Sequence, residues 1–278
     1  MKGKSMWQGD GAPVPIRRGE DLTGLDDFVR GTKLVAFDLD NTLARSKRPM
    51  SAEMSSRFGH LTRLVDVAVI TGGSLQLVKS QVLDVLSTDA DRTRLNIMPT
   101  SGSRYYRWRA GQWECVYHMD MPAEDRRHAI EAIERRAREQ GVWSERVWGR
   151  RIDDRGTQIT FSALGQKAPV RAKERWDPDN AKKDRLADAL AVDLPDLVVR
   201  AAGATSVDIS ARGVDKGYAV HRLADFLGID VHDVVFIGDR MEPDGNDYPA
   251  AMAGTRPILV TGPDRTLAVC DGLIAAMS

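Results

Sequence analysis

The fold of this chain is decided by the stretch Lys33-Leu34-Val35-Ala36-Phe37-Asp38-Leu39-Asp40-Asn41-Thr42-Leu43. Its apolar first half predicts a buried strand, and the asparagine after the second aspartate predicts a turn. Asp38 and Asp40 are therefore expected at the carboxyl end of a strand, where open α/β sheets bind their ligands. Of two such carboxylates, one can attack phosphorus while the other, protonated, donates to the leaving oxygen. An isolated Asp-x-Asp is more often a solvated turn, so this hypothesis depends on the rest of the chain.

The composition limits the classes of protein that fit. The chain has 278 residues, and its 40 Lys plus Arg balance 40 Asp plus Glu, so the net charge gives no general attraction to nucleic acid or to an anionic membrane. Arginines and tryptophans alternate between residues 104 and 151, but acids are mixed among them, which favours a surface for sugar phosphates over one for nucleic acid. No apolar run approaches the roughly 18 residues that span a bilayer, and the start of the chain lacks an apolar signal segment. We therefore expect a cytoplasmic protein without membrane contact.

Strand and helix patterns alternate on both sides of a central region. This alternation predicts an α/β protein with a Rossmann-like core of parallel strands. The predicted core elements after the first strand are a helix over 50–64, a strand over 65–70, a helix over 75–86, a strand near 97–99, a hairpin over 105–117 that turns at Ala110-Gly111, a helix over 216–227, strands over 233–237 and 257–260, and a terminal helix.

The central region has a different pattern and predicts an inserted α/β domain, an antiparallel sheet with helices, which we call the cap. Its predicted elements are a helix over 122–140, strands over 146–152 and 158–164, a helix over 179–190, and strands over 197–201 and 204–209. The predicted domains are an N-terminal extension (1–30), a first part of the core (31–118), the cap (119–211) and a second part of the core (212–278).

Two further motifs follow the pattern of a phosphate-transfer site. Thr71 comes directly after a strand, and its hydroxyl together with the amides of Gly72 and Gly73 can bind a phosphate at a helix N-terminus. Lys216 begins a predicted helix, where the helix dipole disfavours a cation. This unfavourable position favours a functional role for the lysine.

The third motif is the acidic loop 237–247, which ends another predicted strand. It contains Asp239, Asn246 and Asp247, and Asp244 lies close by. Mg²⁺ prefers hard oxygen ligands in octahedral geometry, and carboxylates from two strand ends can supply them. The sequence therefore predicts a magnesium site, and it leaves open whether Asp244 belongs to that site.

Taken together and in this order, the motifs D-L-D-N-T, I-T-G-G-S, D-K-G and G-D…G-N-D resemble those of the haloacid dehalogenase superfamily. The chain is most similar to the type IIB phosphatases, and within them to the phosphomannomutase family, over about residues 31–278. The resemblance implies that Asp38 is the nucleophile, that Asp40 is the general acid and base, and that Thr71 and Lys216 hold the transferring phosphoryl group.

The same resemblance implies one Mg²⁺. Its ligands would be Asp38, the backbone carbonyl of Asp40, and Asp239, with Asn246 and Asp247 in or beside the metal shell. These roles agree with the needs of phosphoryl transfer, which depends mainly on positioning and charge neutralisation.

In the cap, the resemblance implies a set of substrate-binding residues. Arg155 matches an arginine that binds the substrate phosphate, and Ser206 and Asp208 match residues that bind sugar hydroxyls. Lys47, in the core, stands where the family has a further substrate arginine. Gln166 is a departure, because the family has an arginine there and a neutral amide cannot form a bidentate pair with phosphate.

The leading functional hypothesis is a Mg²⁺-dependent phosphatase that hydrolyses a sugar phosphate or a similar small phosphomonoester through an aspartyl-phosphate. The alternative is a phosphomannomutase, which interconverts mannose 1-phosphate and mannose 6-phosphate. A non-catalytic sugar-phosphate binder is disfavoured because every reacting group is present. The expected partner is a small-molecule sugar phosphate, and a homodimer formed through the cap is left open.

Overall fold

The computed structural model describes residues 14–278, and these divide into two compact units. The core holds the described residues up to 118 together with 213–278, and the cap holds residues 119–212. The strands are β1 (Arg17–Arg18), β2 (Leu34–Phe37), β3 (Asp66–Ile70), β4 (Leu95–Met98), β5 (Arg104–Arg109), β6 (Gln112–His118), β7 (Ile152–Asp154), β8 (Gln158–Ser162), β9 (Leu197–Ala202), β10 (Ser206–Ala211), β11 (Val234–Gly238) and β12 (Arg256–Leu259).

The helices surround these strands in both units. They are α1 (Leu25–Val29), α2 (Ala52–Leu64), α3 (Leu75–Gln81), α4 (Ala123–Glu139), α5 (Val170–Trp176), α6 (Ala181–Asp193), α7 (Lys216–Leu227), α8 (Tyr248–Ala251) and α9 (Pro263–Met277). Each helix of the described chain is too short or too polar to cross a membrane.

The core sheet has the strand order β1-β12-β11-β2-β3-β4-β5-β6. Strands β1 to β4, β11 and β12 pair in parallel, and β5 and β6 form the antiparallel hairpin at one edge. Strand β2 lies between β11 and β3, so it is covered on both sides and is fully buried. This position explains its unbroken apolar sequence, which is typical of the central strands of a parallel sheet.

Alternate residues of β2 pack on opposite faces of the sheet. Val35 and Phe37 join a cluster with helices α1, α2, α3 and α9, whereas Leu34 and Ala36 join a cluster with α7 and α8. Burial of each large apolar side chain contributes about 1.5–3 kcal/mol relative to exposure. The core is thus a doubly wound, mainly parallel sheet with an antiparallel hairpin at one edge, and the predicted α/β fold class is confirmed.

Part of the segment assigned to an N-terminal extension belongs to the core. Residues Arg17 and Arg18 pair with Ile258 and Leu259 of β12, which extends the parallel sheet by one short strand. Leu25 is buried against α9, where a Cβ on Gly272 would lie 2.7 Å from the leucine side chain. The prediction for residues 1–13 lies outside the described residues.

The cap sheet has the order β7-β8-β10-β9, and all its pairs are antiparallel. Its apolar face, with Ile159, Phe161, Val207 and Ile209, packs against α4 and α6. The cap differs from its prediction mainly in two places. Residues 146–151 are not a strand, since β7 begins only at Ile152, and helix α5 was not predicted.

Candidate active site

The carboxyl ends of three adjacent core strands bring the predicted reacting groups to one edge of the sheet. Asp38 follows β2 directly and donates its backbone N–H to the carbonyl of Ile237 at 2.9 Å. Thr71 follows β3, and Asp239 follows β11. Parallel strands place their carboxyl ends together, which is why residues far apart in the sequence meet here.

Lys216 completes this group from the first residue of α7. Its Nζ atom donates to Asp38 Oδ1 and to Asp247 Oδ1, the second bond measuring 2.6 Å. Lys216 is 1 % exposed and Asp38 is 4 % exposed. Asp215 caps the helix by accepting from the N–H of Tyr218, so the lysine is held at a helix N-terminus although the dipole disfavours it there. Two carboxylate partners offset that cost.

Burial dominates the electrostatics of the site. It raises the pKa of Asp38 to about 7 despite the opposing effect of Lys216, and it raises the pKa of Asp239 to about 6, with Asp247 adding to the effect. Burial disfavours the ammonium of Lys216, but Asp247 and Asp38 outweigh it and raise the pKa of the lysine. The site therefore holds a permanently charged cation among carboxylates that are costly to ionise together.

The carboxylates fit a divalent cation. Asp38, Asp239 and Asp247 each offer an oxygen, and these oxygens all lie within 4.8 Å of one another. Three carboxylates beside one ammonium leave two negative charges without a counterion when all are ionised. Hard oxygen donors with excess negative charge are the environment that Mg²⁺ prefers.

The other residues of the predicted metal site occupy different places. Asp247 is fully buried, and its Oδ2 accepts from the backbone N–H groups of Asp239 and Arg240 at 3.1 and 3.0 Å, so it also holds the acidic loop in shape. Asn246 is partly exposed beside it, whereas Asp244 is exposed and lies outside the three-carboxylate cluster.

The acidic loop needs a glycine at the end of β11, which the sequence analysis did not single out. A Cβ on Gly238 would lie 2.5 Å from Asp247 Oδ2, so a side chain there would displace the carboxylate. Gly238 therefore allows the close approach of Asp247 to the strand end.

Asp40 lies slightly apart from the cluster. Its Oδ1 atom accepts from the backbone N–H of Lys47 at 3.0 Å and from Nε2 of Gln81 at 3.3 Å. Lys47 has a left-handed backbone (φ 59°) and an exposed side chain, and its hydrogen bond to Asp40 comes from its main chain. Gln81 is a contact of Asp40 that the sequence does not predict, although a polar residue between Val78 and Val82 interrupts an apolar helix face.

The loop after β3 holds Thr71 and the two glycines that are predicted to bind a phosphate. Thr71 is buried, and its Oγ1 accepts from the N–H of Gly73 at 3.0 Å. The amide of Gly73 is thus bonded to the threonine hydroxyl here, and its binding of a phosphate stays a prediction. Gly72 is half-buried between them, and Ser74 caps α3 through the N–H of Leu77.

The cap carries its own polar group of residues. Alternate positions of β8 and β10 share the face opposite the apolar core, and we call this the polar face. Across it, Thr160 donates to Asp208 Oδ1 at 2.7 Å, and the Ser162 and Ser206 hydroxyls lie 2.8 Å apart. The residues of the polar face on these strands are Gln158, Thr160, Ser162, Ser206, Asp208 and Ser210.

Burial raises the pKa of Asp208, and Thr160 and Arg155 oppose this effect. Arg155 is thus close to the polar face, and its Nε donates to Asp153 Oδ2 at 2.8 Å. Gln166 lies in the segment after β8, where its N–H donates to the carbonyl of Arg150 at 2.9 Å. Ser206 and Asp208 therefore share the polar face with Arg155 close by, and Gln166 lies in the loop that follows β8.

Comparison with known proteins identifies the family. The model of the haloacid dehalogenase-like hydrolases matches residues 35–249, and the chain belongs to this family of enzymes. A phosphomannomutase from Spinacia oleracea is 24% identical over 244 residues, which cover 85% of this chain and 94% of that protein.

Two solved structures with a similar fold are a nucleotidase and a sugar-phosphate phosphatase. An N-terminally truncated IMP-nucleotidase from Plasmodium falciparum has a TM-score of 0.64 at 13% identity, covering 91% of this chain and 72% of that one. A trehalose-6-phosphate phosphatase from Aspergillus fumigatus has a TM-score of 0.55 at 15% identity, covering 95% of this chain and 100% of that one. At these identities the likeness supports the fold alone.

Proposed function

We propose that this protein is a Mg²⁺-dependent phosphatase that hydrolyses a sugar phosphate or a similar small phosphomonoester. The observation that carries the proposal is the buried group at the end of β2, in which Asp38 is held by Lys216 beside Asp239 and Asp247. Membership of the hydrolase family agrees with it.

Each residue of the core has a distinct role in this proposal. An oxygen of Asp38 attacks phosphorus, and Lys216 favours the ionised form of that carboxylate against the effect of burial, which raises its pKa. Lys216 and Thr71 hold the phosphoryl group as it transfers. Asp40 gives its proton to the departing oxygen and then takes one from the water that cleaves the aspartyl-phosphate.

Asp38 and Asp239, with Asp247 beside them, would hold the Mg²⁺. When bound, the ion supplies positive charge that lowers the repulsion between the carboxylates and the phosphate.

The cap supports a sugar as the organic part of the substrate. The polar face presents hydroxyl, amide and carboxylate groups, which are suited to hydrogen bonds with sugar hydroxyls. Within it we assign Ser206 and Asp208 to the sugar and Arg155 to a phosphate or another anionic group.

The second candidate is a phosphomannomutase, and its support is the curated relative together with Arg155, Ser206 and Asp208. A mutase must bind a hexose bisphosphate at both ends. Here Gln166 is neutral where the family has an arginine, so one cation that would bind the second phosphate is missing. This balance favours hydrolysis over mutase activity.

One experiment separates the candidates. The purified protein is incubated with mannose 1-phosphate, Mg²⁺ and a trace of hexose bisphosphate, and a panel of sugar phosphates is tested in parallel. We expect free phosphate as the product. Mannose 6-phosphate would instead establish the mutase, and no turnover across the panel would leave a binding protein. A cytoplasmic location and a homodimer through the cap stay predictions for fractionation and sedimentation experiments.

A further inference from the structure

One buried polar side chain in the core has no role in the chemistry described so far. Gln81 ends helix α3 and is 1 % exposed, and its neighbours Val78 and Val82 are fully buried in the apolar core. An apolar side chain of similar size would pack at this position. The amide must therefore be explained by its polar partners.

The contacts of Gln81 fix which end of the amide faces Asp40. Nε2 donates to the carbonyl oxygen of Arg48 at 3.0 Å and to Asp40 Oδ1 at 3.3 Å. A backbone carbonyl can only accept, so the bond to Arg48 sets the orientation of the amide. The second N–H is then directed to Asp40.

The same oxygen of Asp40 has another donor. The backbone N–H of Lys47 reaches Oδ1 at 3.0 Å, so two fixed N–H groups converge on one carboxylate oxygen. A proton on Oδ1 would compete with both of these donors. The proton that Asp40 exchanges with the substrate is therefore carried by Oδ2.

The arrangement is unfavourable for stability alone. Oε1 of Gln81 is buried and has no hydrogen-bond partner among the described residues. A buried acceptor without a partner loses its hydration without compensation, whereas methionine would fill the space at no such cost. The amide of Gln81 therefore lowers the stability of the fold, and in its place it provides a hydrogen bond that orients Asp40.

We propose that Gln81 is a positioning residue, which holds Oδ1 of Asp40 so that Oδ2 faces the leaving oxygen. The inference rests on the proposed function and deepens it. In the first step an oxygen of Asp38 forms a bond to phosphorus, the bond from phosphorus to the ester oxygen breaks, and the proton of Asp40 Oδ2 moves to that oxygen. The alcohol leaves neutral, and Asp40 becomes a carboxylate.

This role defines a class of substrate. Proton donation accelerates the departure of an alkyl alcohol, which is a poor leaving group, far more than that of a nitrophenolate, which leaves without a proton. A fixed general acid therefore indicates an enzyme for esters of alcohols such as sugars.

The test compares two substrates of similar size that differ in leaving group, benzyl phosphate and p-nitrophenyl phosphate. We expect Gln81→Met to lower kcat/KM for benzyl phosphate by about tenfold or more, and to change that for p-nitrophenyl phosphate by no more than about twofold. Asp40→Asn should give the same pattern with a larger loss. Val78→Ala, a change on the same buried helix face, is the control and should affect both substrates equally.

Equal losses on both substrates, or no loss, would overturn the role of Gln81 and leave the proposed function intact. A wild-type protein that hydrolyses neither ester would overturn both proposals. If Gln81→Met does not fold, Gln81→Asn is used instead, because it keeps an amide but moves it away from Asp40 by one methylene. The loss in kcat/KM for benzyl phosphate is then compared with that for p-nitrophenyl phosphate in the same way.

Discussion

The core and the cap both place polar side chains on a sheet, but they do so in different ways. At the end of β2, charged groups are packed together in nearly complete burial, with Lys216 between Asp38 and Asp247. On the polar face of the cap, mostly neutral groups bond to one another across neighbouring strands. Charges held in this way suit the transfer of a charged group, whereas neutral hydrogen-bonding groups suit recognition of an uncharged one. Substitutions in the core should therefore change kcat, and those in the cap should change KM.

The strongest test of the core is Asp38→Asn. We expect kcat to fall by about 10⁴-fold or more, because an amide cannot form the aspartyl-phosphate. The fold should persist, since the amide oxygen can still accept from Lys216. Phosphate release and thermal denaturation measure the two effects, and a rate near that of the wild type would refute the role of Asp38 as nucleophile.

The next test concerns the metal. Removal of Mg²⁺ with a chelator should abolish turnover, and added Mg²⁺ should raise the Tm, since an ion at a hundred times its Kd stabilises the folded state by about 2.7 kcal/mol. Asp239→Asn should remove most of this shift. Asp244→Asn changes an exposed acid outside the cluster and is the matched control; an equal effect of both variants would show that Asp239 is not a ligand.

The corresponding test of the cap is Asp208→Asn. It should raise KM for the preferred sugar phosphate by about tenfold, because one charge-assisted hydrogen bond to the sugar is lost. The KM for p-nitrophenyl phosphate, which has no sugar, should not change. Asp188→Asn, on the exposed side of α6, should change neither value. A fall in kcat for both substrates would show that Asp208 takes part in phosphoryl transfer. It would contradict the expectation that substitutions in the cap change only KM.

The smallest effect is expected at the end of helix α6 of the cap. Asp193 accepts from Arg136 at 2.7 Å and from Arg135 at 2.8 Å, and these bonds lower its pKa to about 2. Because this pKa lies below that of the unfolded chain, the stabilisation is present above about pH 4 and is lost as the pH falls through about 2.

Asp193→Asn should therefore cost about 1 kcal/mol near neutral pH, and the difference from the wild type should shrink below about pH 4. Urea denaturation followed by tryptophan fluorescence can measure this. A difference that stays constant between about pH 5 and 2 would contradict the assigned cause.

The sequence predicted those parts of the fold that local signals determine. Helix α7 was predicted over 216–227, where the structure has it, because Asp215 caps its start and Gly228 adopts the left-handed conformation that ends it. Strand β2 is predictable for a similar reason, because an unbroken apolar run requires burial on both faces of the sheet.

The missed parts depend on contacts that sequence patterns do not reveal. Helix α5 is seven residues long and follows Pro169, so neither its length nor an apolar stripe marks it. The stretch before Ile152 contains strand-forming residues but is held by tertiary contacts, with Arg151 lying over the Trp143 ring at 3.9 Å. Gln81 was missed because its partners, Asp40 and Arg48, lie more than thirty residues earlier in the sequence.

The order of the core strands has a consequence for synthesis. Strand β2 emerges from the ribosome before the cap, whereas its neighbour β11 and the partner of Asp38, Lys216, lie beyond the whole cap in the sequence. Until those residues are made, one edge of β2 lacks its strand and a carboxylate at its end lacks its cation. A nascent chain that stops within the cap therefore lacks β11, β12 and Lys216, and its site is incomplete. The three-carboxylate cluster is complete only after Asp247 has been synthesised.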